Sequence, residues 1–222
     1  MGFSIDWNER YQNGEHQSIW PWSNLITLLF GYTNIRKRRS SFKILEVGCG
    51  AGANIPLFAS VESDYSGMDG SEHTIAQLRL KFPNLANQLF VGDFTQSLPS
   101  HKKFDLIVDR AAITHNSTAD IRATLDHVSA ALEPDGIFIG CDWFSTEHQE
   151  FSRGAQGEDS FTKTNYSEGP FANLGKVHFS DRKHLEDLFE GFSFLYLSHF
   201  VDQKIIPHDG RHAMWQIVAK KK

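Results

Sequence analysis

Short apolar runs alternate with segments of helical spacing along most of the chain, a pattern that predicts a parallel sheet built from βαβ units. Five runs read as strands: Lys43–Val47, Asp64–Met68, Gln88–Gly92, Phe104–Asp109 and Gly136–Cys141. Most are apolar without interruption, as strands covered on both faces are. Helix signals fall between them. Ser71 is placed to cap a helix running to Lys81 with Ile75 and Leu78 inward, and Ser117 with Asp120 resembles a capping box. Beyond it Ile121, Leu125, Val128 and Leu132 keep helical spacing up to the breaker Pro134-Asp135-Gly136. Ser180 caps a last helix carrying Leu185, Leu188 and Phe189, and a helix from Trp22 to Tyr32 precedes the first strand, with Pro21 at its first turn. Two further strands, Ser193–Phe200 and Met214–Ala219, are joined by a segment too short for a crossover, so they pair antiparallel. The expected fold is α/β, a seven-stranded, mostly parallel sheet with a C-terminal antiparallel strand pair and helices on both faces. Phe144–His178 stands apart, with four glycines and no clear period. A structureless stretch of that length inside a compact domain reads as a lid.

Composition narrows the choice. The 222 residues fit one domain, and 18 Phe supply core and pocket walls. A formal net charge of −5 argues against non-specific binding to nucleic acid. The longest apolar run, Leu25–Phe30, is too short to span a bilayer, and the opening MGFSIDWNER carries no apolar signal core. With two separated cysteines, Cys49 and Cys141, neither a disulfide scaffold nor a cysteine-based zinc site is expected, and a reducing cytoplasm is the simplest location.

Candidate chemistry begins at Glu46–Asn54 (EVGCGAGAN), which follows the first strand and opens a helix. Its glycines allow a tight turn and let backbone N–H groups approach a ligand at a helix N-terminus. The loop satisfies Gly-x-Gly-x-Gly and also the dinucleotide pattern Gly-x-Gly-x-x-(Gly/Ala). Asp69 ends the second strand, about 20 residues on, where a carboxylate accepts ribose hydroxyls. Asp93 follows the third strand, placed to accept from the amine of a purine, with Phe94 beside it to lie against the ring. Asp109 ends the fourth. A nicotinamide-dependent oxidoreductase would use the same loop, but no tyrosine here has lysine four residues on.

Taken together, ILEVGCGAGANIPLF, SGMDGSEHTI, VGDF, FDLIVDRAAITH and ALEPDGIFIG resemble the successive motifs of class I S-adenosylmethionine-dependent methyltransferases, over about residues 43–142. The resemblance implies a Rossmann-like sheet, S-adenosyl-L-methionine as cofactor and S-adenosyl-L-homocysteine as product. It implies that Glu46 braces the glycine loop, that Gly48, Cys49 and Gly50 contact the cofactor through backbone, and that Asp69 with Gly70 holds the ribose. Asp93 and Phe94 would hold adenine, and Asp109 or Arg110 would present a carbonyl to the methionine ammonium. The N-terminal WNERYQNGEHQSIWPWS is similar to the entry segment of the thiopurine- and tellurite-type branch, which implies that Tyr11 and Trp20 close over the cofactor. The whole chain then reads as one methyltransferase domain: a cover over 1–42, a cofactor-binding core over 43–142, a lid over 144–178, and a last helix with closing hairpin over 179–222.

The loops after the fourth and fifth strands and between the last two open on the cofactor rim. His115 is the first candidate for a general base and Asp142 the second, because an acceptor hydroxyl or protonated amine needs one. Trp143, His148, His208 and Arg211 are candidates for contact with the acceptor. Asp109 and Asp142 stand where metal-dependent catechol-type relatives carry two ligands, but Trp143 stands at the third, and no metal is expected. The signature (Asp/Asn)-Pro-Pro-(Tyr/Phe) of amino-methyltransferases is absent after the fourth strand. The expected activity is methyl transfer to an oxygen or nitrogen of a small molecule, with a thiol or chalcogen acceptor, or a non-catalytic cofactor-binding module, as alternatives.

Overall fold

The computed structural model describes residues 5–14, 18–100, 102–207 and 209–222. Seven strands form the main sheet: β1 (Lys43–Val47), β2 (Asp64–Asp69), β3 (Leu89–Val91), β4 (Phe104–Arg110), β5 (Leu132–Phe144), β9 (Phe192–Lys204) and β10 (Gly210–Lys221). Their order is β3-β2-β1-β4-β5-β10-β9. β1 to β5 pair in parallel, while β10 runs antiparallel to both β5 and β9. This is the expected Rossmann-like sheet with its closing antiparallel pair.

Alternation along the strands divides the core into two layers. Ile44, Leu106, Val108 and Ile139 face a cluster with Leu25, Leu28 and Leu29 of α2 (Ser23–Tyr32), Phe58 of α4 (Ile55–Ser60) and Ile75 and Leu78 of α5 (Glu72–Lys81). Leu45, Ile107 and Phe138 face the other cluster, with Ile121, Leu125 and Val128 of α6 (Thr118–Ala131) and Leu185 and Leu188 of α7 (Arg182–Leu188). A short helix, α3 (Ile35–Arg38), joins α2 to the sheet, and α1 (Ile5–Gln12) lies at the N-terminus. The cap of α5 is Ser71, whose side chain accepts from Thr74 N, and that of α6 is Ser117. Asp181, one residue after the expected Ser180, caps α7.

Two local departures set the site. In β5, Cys141 and Asp142 stand opposite Gln216 alone, a bulge between the pairs Trp215–Trp143 and Ile217–Gly140. Asp142 takes a left-handed φ of 58° there. The bulge breaks the alternation, so Trp143 turns into the α6/α7 layer although Cys141 and Ile139 face the other one. The stretch 144–178 is also more ordered than its sequence suggests. It holds a 3-10 turn (Gln149–Ser152) and three short strands, β6 (Ala155–Gln156), β7 (Thr162–Thr164) and β8 (Val177–His178), paired antiparallel. Tyr166, Phe171, Leu174, Val177 and Phe179 give it an apolar cluster of its own, against which Trp7 and Phe144 pack.

Candidate active site

The site forms where the carboxyl ends of β1, β2 and β4 meet the glycine loop. β1 ends in Val47, and the chain turns through Gly48 (φ +66°) and Gly50 (φ +49°) toward α4. Both positions need glycine for space as well as conformation. A Cβ on Gly48 would lie 2.1 Å from Ala112 Cβ, and one on Gly50 would lie 2.9 Å from Tyr11 Oη. Asp69 fastens this loop to β2, its carboxylate accepting from Gly50 N and Ser71 N, both at 2.9 Å. Burial raises the Asp69 carboxyl, against the backbone N–H groups of Ser71, Gly50 and Gly70 that pull it down.

Glu46 lies beneath the loop and is 3 % exposed. Its two oxygens accept from Asn54 Nδ2 at 2.6 Å and Tyr65 Oη at 2.7 Å. Burial pushes its carboxyl up to about 7 despite these bonds. Cys49 beside it is buried, and burial next to Asp69 and Glu46 raises its thiol well above the ordinary range, so it is no nucleophile.

A cavity of about 290 Å³ opens above these groups. Its lining includes Gly48, Cys49, Gly50, Asp69, Gly70 and Phe94 of the glycine loop and neighbouring strand ends, and also Trp7, Tyr11, Trp22, Arg110, His115, Asn116, Phe144 and Phe171. His115 Nδ1 is 3.0 Å from Lys176 O, and the ring meets Trp7 edge-on at 4.9 Å between centroids. Because a carbonyl can only accept, Nδ1 carries the proton, and in the neutral ring Nε2 is the basic nitrogen. The Arg110 guanidinium lies 3.7 Å over the Trp22 ring.

Comparison with known proteins gives this geometry a family. A family model described as a methyltransferase domain matches residues 15–199. The chain belongs to that family. It is 25 % identical over 173 residues to a malonyl-[acyl-carrier protein] O-methyltransferase of Bacillus anthracis, a match covering 71 % of this chain and 63 % of that protein. An uncharacterized methyltransferase, YcgJ, of Bacillus subtilis is 28 % identical over 112 residues, 49 % of this chain and 44 % of its own length. The chain thus spans less than two thirds of these curated relatives. Among solved structures, TehB from Haemophilus influenzae superposes with a TM-score of 0.65 at 14 % identity, over 97 % of this chain and 67 % of that one. The glycopeptide N-methyltransferase MtfA, complexed with S-adenosylmethionine, does so at 0.56 and 17 %, over 84 % of each.

S-Adenosylmethionine, the cofactor that the sequence motifs imply, fits a polar group of this cavity. Of the five buried side-chain polar atoms without a hydrogen-bond partner among the described residues, Asn54 Oδ1, Asn116 Oδ1 and Arg110 Nε belong to residues lining this cavity. Asn54 Oδ1, on the residue whose Nδ2 donates to Glu46 beneath the glycine loop, calls for a ligand donor such as the ammonium of that cofactor.

Several residues singled out from the sequence stand elsewhere. Trp20 is 74 % exposed and outside the cavity, while Trp22, two residues on, lines it. Trp143, turned by the bulge, is fully buried and donates to Asp109 Oδ2 at 2.6 Å. Asp109 faces the α6/α7 layer, and its Oδ1 accepts from Ala112 N and Ile113 N at 3.0 Å, shaping the loop after β4 from below. Burial pushes its carboxyl up to about 7. Asp142 also lies outside the cavity lining. Its Oδ1 accepts from Asn24 Nδ2 and Gln216 Nε2 at 2.7 Å, and Oδ2 is 2.9 Å from Arg110 Nε, whose N–H is not aligned on it. His148 stacks on His212 at 5.1 Å behind Phe144 and Phe171, and burial lowers it to about 4. Arg211 pairs with Glu147 at the surface, and His208 lies outside the described residues. Asp93 adjoins the cavity through Phe94, its Oδ1 accepting from Thr95 N at 2.9 Å. Among the described residues no cluster of three potential metal ligands occurs, and no helix is long and apolar enough to cross a membrane.

Asn54, Asn116, Trp7, Trp22 and Phe171 line the cavity without having been singled out for it. Asn116 had a signal, since it follows His115 directly. Phe171 had none, because its position depends on the apolar cluster of the 144–178 segment.

Proposed function

We propose that this methyltransferase holds S-adenosylmethionine at the glycine-loop end of the cavity and transfers the methyl group to an oxygen or nitrogen of a small acceptor at the aromatic end. When bound, S-adenosylmethionine supplies an electrophilic methyl carbon on a sulfonium, and its transfer leaves the neutral thioether of S-adenosylhomocysteine. Asp69 would accept from the ribose hydroxyls, Asp93 and Phe94 would hold the adenine, and the backbone of Gly48 to Gly50 would line the methionine end. Asn54 Oδ1 and the carbonyl of Asp109 or Arg110 would take the ammonium. Trp7, Tyr11 and the lid exclude water, which an in-line displacement between two bound partners requires.

The observation that carries the oxygen-or-nitrogen reading is the state of His115. Its Nδ1–H is fixed on Lys176 O, so the basic nitrogen is Nε2, on a ring that lines the cavity. As the acceptor's lone pair bonds to the methyl carbon, His115 Nε2 takes the proton that the acceptor atom gives up. Asp142 has its oxygens committed to Asn24, Gln216 and Arg110, and its part is to position Arg110. A thiolate acceptor would need no base. Formation of S-adenosylhomocysteine from a panel of phenols, amines and thiols separates these readings. With His115→Ala, turnover of oxygen and nitrogen acceptors should fall about 10²–10⁴-fold, and undiminished turnover would overturn the role of His115.

A further inference from the structure

The acceptor end of the cavity contains more recognition chemistry than a base requires. Arg110 is the one lysine or arginine among the described lining residues. One face of its guanidinium lies on Trp22 and Nε sits against Asp142, which together fix the plane of the fork. Its two Nη groups make no hydrogen bond among the described residues, and they form the edge that matches a carboxylate bidentately. Asp142 is itself held by Asn24 of α2 and Gln216 of β10, so three elements converge to aim one cation.

Asn116 supplies the second group. It is 2 % exposed, and Nδ2 donates to Ile113 O at 3.1 Å, which settles the orientation of the amide. Oδ1 is then the acceptor, buried and without a partner, on a residue that lines the cavity next to His115. A buried carbonyl oxygen in that state calls for an N–H or O–H from a ligand. Trp22, Phe144 and Phe171 are apolar walls of the same cavity.

We infer that the acceptor is a small aromatic acid: its carboxylate sits on the Arg110 fork, and one N–H of its amino group, or a hydroxyl adjoining the one to be methylated, donates to Asn116 Oδ1 beside His115. The inference rests on the proposed placement of cofactor and acceptor within the cavity. It makes Arg110 and Asn116 the specificity-determining residues, with Asp142 as a positioning residue acting through Arg110.

The test uses calorimetry on the full chain. S-Adenosylhomocysteine is first titrated into wild type, Arg110→Met and Asp69→Ala. The saturated wild type is then titrated with aromatic amino and hydroxy acids and with the neutral amide of each. Arg110→Met should bind S-adenosylhomocysteine within about twofold of wild type, and the acids, not their amides, should bind the saturated protein, with about a tenfold or greater loss in Arg110→Met. Arg110→Lys, which keeps the charge but not the fork, serves if the methionine variant does not fold, and should lose most of the same affinity. Asn116→Ala should weaken the acids but not analogues whose amino group is dimethylated or whose hydroxyls are all methylated. The inference is overturned if amides bind as well as acids, if no acid binds, or if Arg110→Met loses S-adenosylhomocysteine about tenfold, which would give Arg110 to the cofactor's own carboxylate. Failure of the underlying placement looks different, as absent binding of S-adenosylhomocysteine to wild type.

Discussion

The segment 144–178 holds His115 in one tautomer, because Nδ1 of the ring lies 3.0 Å from the backbone oxygen of Lys176, one residue before β8. The proposed base is therefore coupled to that segment. In His115→Asn the side-chain amide can keep a donor on Lys176 O while removing the basic nitrogen. Turnover should fall about 10²–10⁴-fold with little change in melting temperature. His115→Ala should lose the same rate and also speed hydrogen exchange around residues 174–178, which exchange mass spectrometry reads directly.

Asp142→Asn separates a positioning residue from a base. The bulge, its left-handed turn and the bonds to Asn24 and Gln216 accommodate an amide, whereas the charge facing Arg110 is lost. The expected result is a rise in acceptor KM of up to about tenfold with kcat nearly unchanged. A kcat loss of about 10²-fold or more would restore Asp142 as the base.

Glu46 gives a pH signature. Burial raises its carboxyl from 4.5 to about 7 in the folded chain, so between these values the folded state binds the extra proton. Its contribution is fully present below pH 4.5 and is lost as pH rises through 7. Glu46→Gln should flatten that fall in urea-measured stability, which is about 1 kcal/mol per pH unit at most.

His178 has the opposite sign. Its Nε2 faces His184 Nε2 at 3.1 Å, Thr162 Oγ1 lies 3.2 Å from Nδ1, and burial lowers the ring from 6.5 to about 3. A histidine held neutral contributes stability above its ordinary value that is lost as pH falls from 6.5 toward 3. The small sheet β6-β7-β8 should open first on acidification, and His178→Phe should remove much of that dependence. Hydrogen exchange at residues 162–164 and 177–179 across pH 4–7 checks it.

The sheet was legible because most of its strands are continuous apolar runs that alternate with helical segments, whereas the strand order comes from the structure. The glycine loop, Asp69 and Phe94 were legible because each occupies a fixed place at a strand end. What escaped depends on contacts distant in sequence. The bulge at Cys141–Asp142 forms against Gln216, more than seventy residues on, and it alone sends Trp143 into the core. Trp20 and Trp22 have equal claims by composition, and only the docking of α2 places Trp22 under Arg110. The three strands β6, β7 and β8 have two, three and two residues, too short for any periodic signal.

The central claim is that Asp69 and the glycine loop hold S-adenosylmethionine. Calorimetry of S-adenosylhomocysteine with wild type and Asp69→Ala, with NAD as control, tests it most directly. Wild type should bind in roughly the micromolar range, NAD should not bind, and Asp69→Ala should lose about 1.5–3 kcal/mol for each ribose hydrogen bond. Folded wild type that binds no S-adenosylhomocysteine, or an Asp69→Ala variant that binds it equally well, would contradict the account.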